Sequence, residues 1–331
     1  MFLSIILPFY NTEQYLEECL DSILSVGMPL EEYEIIMIND GSTDKGKTIA
    51  ENYISKHADV NIKLYSQENK GLGATRNIGI KKAQGQYIYF IDSDDRLRSE
   101  NFLKIYQDVK ANGYDAIFFD AEAFFEKEML LDEAWKRKKS YGIYDNGEDL
   151  LSDFIKNHDA RTAVYLYIVK KAILLDNNFF FPENCRFEDN YFTANLYFLI
   201  KKSKHVNLVA YERRVRPNSI MTSATAANFF DDCSIIYFKM AKRFEEISPL
   251  SPKGNKAYKK ALMDVFYAIE KNARGFKQNE EQQHIWRKVR KIARKYNYFN
   301  WRGIMIRFAY PLHEILLSTF KTIRKKLTEN C

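Results

Sequence analysis

The apolar run Tyr87-Ile88-Tyr89-Phe90-Ile91 passes without a break into Asp92-Ser93-Asp94-Asp95. Three carboxylates within four residues repel one another and require a counter-cation, hydrogen-bond donors or solvent. A divalent metal holding an anionic ligand would meet that need. A helix N-terminus would also meet it, because Asp and Ser are favoured caps and acids suit the first turn. Two more segments carry chemistry-bearing groups. Asp40-Gly41-Ser42-Thr43-Asp44 follows the apolar Glu34–Ile38. It offers either turn and cap chemistry or a strand-edge carboxylate that accepts an N–H from a ligand's base. Lys70-Gly71-Leu72-Gly73-Ala74-Thr75-Arg76-Asn77 is a basic, glycine-punctuated loop opening a helical pattern. Glycine lets backbone approach a ligand and the loop adds cationic donors. It has neither the GxGxxG spacing of a dinucleotide site nor the GKS/T of a phosphate loop, so by itself it reads as a turn.

These groups need a scaffold that brings them to one edge. Phe2–Phe9, Glu34–Ile38, Ile62–Tyr65, Tyr87–Ile91 and Ala116–Phe119 are short apolar or β-branched runs. Amphipathic segments lie between them at Glu13–Leu24, Lys45–Lys56, Gly73–Ala83 and Asn101–Asn112. The alternation predicts an α/β fold, a mostly parallel sheet with helices on both faces. Ligands of such sheets bind outside the carboxyl ends of the strands, where Tyr10, Asp40 and Asp92 fall. Further along, Lys136–Lys139 reads as a solvated loop or helix face, Val164–Val169 as extended, Tyr191–Lys201 as helix and Val206–Val215 as strand. From Asn228 onward the pattern is helical, interrupted at Ser248–Gly254.

The 331 residues, 46% hydrophobic, suffice for one large domain with an appendage, or for two domains. The N-terminus reads as a first strand and not as a signal peptide. No uncharged apolar run reaches the roughly 18–20 residues of a spanning helix. Cys19, Cys185, Cys233 and Cys331 form no CxxC pair, which argues against a zinc site or disulfide framework and fits a reducing cytoplasm. The net charge of +6 is uneven: residues 251–331 hold 19 Lys/Arg against 6 Asp/Glu, a net +13, which leaves −7 for the rest.

Taken in order, Ser4-Ile5-Ile6-Leu7-Pro8-Phe9-Tyr10-Asn11, Ile38-Asn39-Asp40-Gly41-Ser42-Thr43-Asp44, Asn69 to Asn77 and Ile91-Asp92-Ser93-Asp94-Asp95 resemble the family 2 glycosyltransferases, densely over the first hundred residues and over roughly 1–220 in all. Thr75 departs from the family, which more often has alanine there. The resemblance implies the nucleotide-sugar-binding GT-A fold, a catalytic domain at 1–225 and a helical, basic C-terminal region at 226–331. It implies an inverting transfer from a nucleotide-sugar donor, UDP being the expected nucleotide, to a saccharide or lipid-linked acceptor in surface polysaccharide synthesis. Pro8 and Tyr10 would frame the nucleotide, the Tyr10 ring packing on the uracil face. Asp40 would accept from the base N–H and Arg76 donate to a base carbonyl. Asp92, with Ser93, would lie at the ribose. Asp94 would hold Mn²⁺ or Mg²⁺ on the diphosphate, and Asp95 would remain as the cap. Glu188-Asp189 resembles the family's Glu-Asp pair, with Asp189 as general base and Glu188 on the acceptor side, although acids in a helix's first turn are common in any case. Arg216 and Ser219 fall in a segment that folds over the diphosphate in the family, and the planar guanidinium fork suits phosphate oxygens. Arg213 and Arg214 read as surface charge, and His205 stays unassigned.

Arg287–Lys295 places six cations in nine residues, followed by the aromatic-rich stretch from Tyr296 to Tyr310. Two readings stand open: basic helices lying on an anionic membrane surface, peripheral on its cytoplasmic face, or an ordinary helical subdomain. Among other functions, a nucleotidyltransferase of the same fold lacks its signature loop near the first strand. A non-catalytic sugar-nucleotide binder leaves Asp94 and Asp189 without purpose. A nucleic-acid-binding protein, driven by the tail, leaves the acidic strand edges unexplained, so no nucleic-acid partner is expected.

Overall fold

A computed structural model describes residues 1–125, 135–216 and 224–296. Nine strands among them form one sheet. They are β1 (Leu3–Phe9), β2 (Tyr33–Asn39), β3 (Ile62–Ser66), β4 (Tyr87–Phe90), β5 (Arg96–Leu97), β6 (Ala116–Phe125), β7 (Gly142–Tyr144), β8 (Tyr167–Lys170) and β9 (Ser203–Val215). The order is β3-β2-β1-β4-β8-β6-β9-β5, with β7 against β9. The first four are all parallel, as the strand–helix alternation predicts, and β6 is parallel to β9. β8 runs antiparallel between β4 and β6. Val164–Leu166, expected to be extended, is a short 3₁₀ turn, and the strand begins only at Tyr167.

Side chains of the parallel strands alternate between two apolar layers, the period-two pattern of a sheet covered on both sides. Leu3, Ile5, Leu7, Ile35, Met37, Tyr87 and Tyr89 enter one layer, with residues of α1 (Leu16–Leu24), α2 (Gly46–Lys56) and α4 (Ser99–Asn112). Ile6, Ile36, Ile38, Ile88 and Phe90 enter the other. There they meet α3 (Leu72–Lys82), α5 (Gly147–Lys156) and α7 (Glu188–Leu196). A short α6 (Lys171–Asp176) follows β8.

The run Lys136–Lys139 is not wholly solvated. The Arg137 side chain is fully buried, donating from Nη1 to Asp120 Oδ1 at 2.9 Å and to the Phe119 carbonyl at 2.8 Å. His205 lies on the same Asp120 oxygen at 3.2 Å and accepts the Tyr141 N–H on Nδ1. Its role is structural, and burial lowers its pKa below the ordinary value.

Two long helices, α8 (Ala226–Ile247) and α9 (Pro252–Ala273), belong to the same compact unit as the sheet, which runs to Phe276. A second unit begins at Lys277 and contains α10 (Glu280–Lys295), the helix expected for the basic run. Asn279 and Gln282 form its capping box, glutamates fill its first turn and cations its last, a distribution that suits the helix dipole. No helix among the described residues is long and apolar enough to cross a membrane. Residues 297–331, with the aromatic part of the tail, lie outside the described residues.

Candidate active site

β2, β1 and β4 are neighbours, so parallel pairing carries Asp40, Tyr10 and Asp92 to one sheet edge. The chain leaves β1 towards β2 on one side and returns as β4 on the other. Strand order therefore reverses beside β1, the position at which open α/β sheets bind ligands.

The acidic cluster is neutralised by the protein itself. Asp92 Oδ1 accepts from Arg76 Nη2 at 2.7 Å, and Asp94 Oδ2 from Arg216 Nε at 2.7 Å. Asp95 is buried and accepts from the Tyr211 hydroxyl at 2.5 Å and from the Arg214 backbone N–H at 2.6 Å. Burial, with Asp94 and Asp92 adding to it, pushes the Asp95 carboxyl well above the usual range. Asp95 therefore caps no helix; α4 opens four residues later at Ser99, with Arg98 at its N-cap position. The like-charge argument for a metal also loses its force, because cations and donors of the chain satisfy the cluster. What survives is narrower: Asp92 and Asp94 each use one carboxylate oxygen for an arginine. Among the described residues no group of three His, Cys, Asp or Glu could hold a metal.

Arg76 is 3% exposed and sits inside an ion chain. Its Nη1 donates to Glu188 Oε1 at 2.6 Å and its Nη2 to Asp92, with the guanidinium 5.5 Å from the Phe181 ring. Glu188, expected on the acceptor side, is thus 4% exposed and turned to Arg76. Burial raises its pKa against the opposing pull of Arg76. Asp189, the next residue, is half-buried. Burial first, and the Glu188 charge second, push its pKa from 3.8 up to about 7.

Asp40 is buried and shapes the glycine loop. Its Oδ1 accepts from Gln67 Nε2 at 2.6 Å and Lys70 N at 2.9 Å, and its Oδ2 from Gly71 N at 2.9 Å. Gly71 stands at φ +83°, a region that glycine enters without strain. Thr75, the departure from the family pattern, joins this network: its hydroxyl donates to the Gly71 carbonyl and accepts from Gln67. The loop before α7 lies close to α3. A Cβ on Gly73 would stand 2.4 Å from the Pro182 carbonyl oxygen, while Asn77 bonds both the N–H and the carbonyl of Phe181.

Pro8 lies in buried β1, and Tyr10 is 46% exposed. Ser93 Oγ meets Thr12 Oγ1 at 2.9 Å. An open cleft of about 410 Å³ lies between Asn11–Tyr15, Thr43, Asp44 and Arg216. Ser219 lies outside the described residues. Tyr211 and Arg214 were not expected here. Arg214, read as surface charge, is buried: its Nε donates to the Asp94 carbonyl at 2.8 Å, and it pairs with Glu18. Period two along a strand would have placed Arg214 and Arg216 on one face, apart from Arg213.

Comparison with known proteins gives consistent neighbours. Residues 4–168 match the model for glycosyl transferase family 2. The uncharacterized glycosyltransferase EpsJ of Bacillus subtilis (strain 168) is 30% identical over 228 residues, covering 66% of this chain and 62% of that protein. The poly(ribitol-phosphate) beta-glucosyltransferase of Bacillus spizizenii is 34% identical over 203 residues, 61% of this chain and 30% of that protein. The match thus spans less than two thirds of either relative. Among solved structures, Staphylococcus aureus TarS 1–349 in complex with UDP-GlcNAc superimposes with a TM-score of 0.69 at 22% identity, over 87% of this chain and 79% of that one. It shares the fold.

Proposed function

The chain belongs to the family 2 glycosyltransferases and has the GT-A fold, and from this premise we propose that it moves a sugar from a UDP-linked donor to a hydroxyl of a saccharide or polyol-phosphate acceptor, with inversion, in surface polysaccharide synthesis. The observation that carries the reading is Asp189. A half-buried carboxylate with its pKa raised to about 7 is tuned for proton abstraction near neutrality. The Glu188–Arg76–Asp92 chain ties its neighbour to the strand edge where a nucleotide would lie. UDP-GlcNAc in the TarS structure and the poly(ribitol-phosphate) relative support the donor and acceptor classes.

In this reading the Asp189 carboxylate takes the proton of the acceptor hydroxyl. The acceptor oxygen bonds the anomeric carbon from the face opposite the leaving group. The bond from that carbon to the phosphate oxygen breaks, and its electron pair leaves with the nucleoside diphosphate. Tyr10 offers its exposed ring to the base. Asp40 holds the Lys70–Gly71 backbone in place beside it. Arg216 is the cation that meets diphosphate oxygens. Glu188 acts as a positioning residue that fixes Arg76.

The second oxygen of Asp94 would hold Mn²⁺ or Mg²⁺, which take one or two carboxylates and complete their shell with phosphate and water. When bound, such an ion would supply charge stabilisation for the departing diphosphate. Thermal-shift and calorimetric titrations of the full chain with UDP and UDP-sugars, with and without Mn²⁺, test the reading, because a ligand of the folded state raises its apparent stability. UDP should stabilise the protein, and Asp94→Ala should remove the Mn²⁺-dependent part. Equal UDP affinity with Mn²⁺ in Asp94→Ala would sink the metal assignment.

A further inference from the structure

The turn before Glu188-Asp189 is held from a helix that the reaction does not otherwise use. Phe187 stands at φ 65°, ψ 27°, in the left-handed region. A bulky residue stays there only when its surroundings over-determine it. Two contacts do so. Arg186 Nε donates to Asp232 Oδ2 at 2.7 Å. The Phe187 ring stacks on Phe229 with centroids 4.6 Å apart and planes at 18°. Phe229 and Asp232 are three residues apart on α8, so they share one helix face. The other end of the loop is clamped by α3, through Asn77 on Phe181 and the bare Gly73 beneath Pro182.

The carboxylate pair therefore follows a loop pinned to α3 at its start and to α8 at its end. Resting on the glycosyltransfer reading, we propose that Asp232 and Phe229 are positioning residues: they latch the Arg186–Phe187 turn, and the latch decides where Asp189 meets the acceptor hydroxyl while Glu188 stays on Arg76. Partly exposed ion pairs add little to global stability, whereas a small displacement of a reacting group costs a large factor in rate. The latch thus separates rate from stability, which a merely structural contact does not.

The test uses the full chain with Asp232→Ala, Phe229→Leu, Phe229→Tyr and the charge swap Arg186→Asp/Asp232→Arg. UDP release from UDP-GlcNAc, UDP affinity and amide exchange over residues 186–192 are measured on each. Asp232→Ala and Phe229→Leu should lower kcat about tenfold, with UDP affinity within about twofold of the parent. Exchange over 186–192 should quicken by about tenfold as the turn opens more often. Phe229→Tyr and the charge swap should recover most of both. Unchanged exchange over 186–192 in both single variants overturns the latch, as does a kcat loss matched by an equal loss of UDP affinity. A parent protein that neither binds UDP nor releases it from any UDP-sugar would refute transfer from a UDP-linked donor, and the exchange measurement would still decide the latch.

Discussion

Asp189 gives the most exposed test of the proposed chemistry. If its carboxylate is the base and its pKa is about 7, about one tenth of the enzyme is active at pH 6 and about nine tenths at pH 8. The rate of UDP release at saturating donor should therefore rise nearly tenfold across that interval and then level off. An aspartate at its ordinary value would give a flat line there. Asp189→Asn should lower the rate by about 10²–10⁴-fold while UDP affinity is kept. Stability offers an independent readout. Between about pH 4 and 7 the folded chain keeps a proton that the unfolded chain releases, so stability falls as pH rises through this window. At about 1.4 kcal/mol per pH unit, the rise from 3.8 to about 7 sets a ceiling of about 4 kcal/mol on that loss. Because Glu188 shares the field, the titration belongs to the pair and the loss stays below that ceiling. Asp189→Asn should lessen the slope, to which the raised carboxyls of Asp95 and Glu188 also contribute, and be more stable than the parent above pH 7. Initial rates over a buffer series, with urea unfolding at the same pH values, check both. A flat rate profile, or an Asp189→Asn enzyme that turns over normally, would refute the assignment.

Two further outcomes follow from packing. Gly73→Ala should push the Pro182 carbonyl and the Glu188 side chain away from α3, since the new Cβ would lie 2.4 Å from one and 3.4 Å from the other. A stability loss of about 1–3 kcal/mol is expected, with slower UDP release, and thermal unfolding beside activity checks it; an unchanged midpoint would show that the loop gives way freely. Arg137→Ala should leave the buried Asp120 carboxylate with only His205 as side-chain partner among the described residues and cost about 3–5 kcal/mol in urea unfolding, with UDP affinity unaltered. A loss under about 1 kcal/mol would mean that Asp120 is resolvated or protonated at little cost.

The sheet was legible because its pattern is local. Apolar runs such as Tyr87–Phe90, followed by helix-period segments, predict strands and covering helices, and chain order alone predicts which strand ends carry Asp40 and Asp92. The bases of misreading were equally specific. Asp95 looks like a cap because Asp precedes helices often, yet its partners, Tyr211 and Arg214, lie more than a hundred residues away. Arg137 and Arg214 sit in charged runs that read as solvated, and each is drawn inward by a distant partner.

Residue types and spacing by themselves determined the α/β architecture, the family and the set of carboxylates and arginines available for chemistry, since alternation and motif order are written along the chain. How those groups pair was decided only by the tertiary structure. Arg76 meets Glu188, 112 positions away, and Arg216 meets Asp94, 122 positions away. Such pairs depend on which strands become neighbours and on how far each carboxylate is withdrawn from water. Burial then decides the rest: it raises the pKa of Asp189 and of Asp95, while Asp92 and Asp94 stay only partly buried beside their arginines.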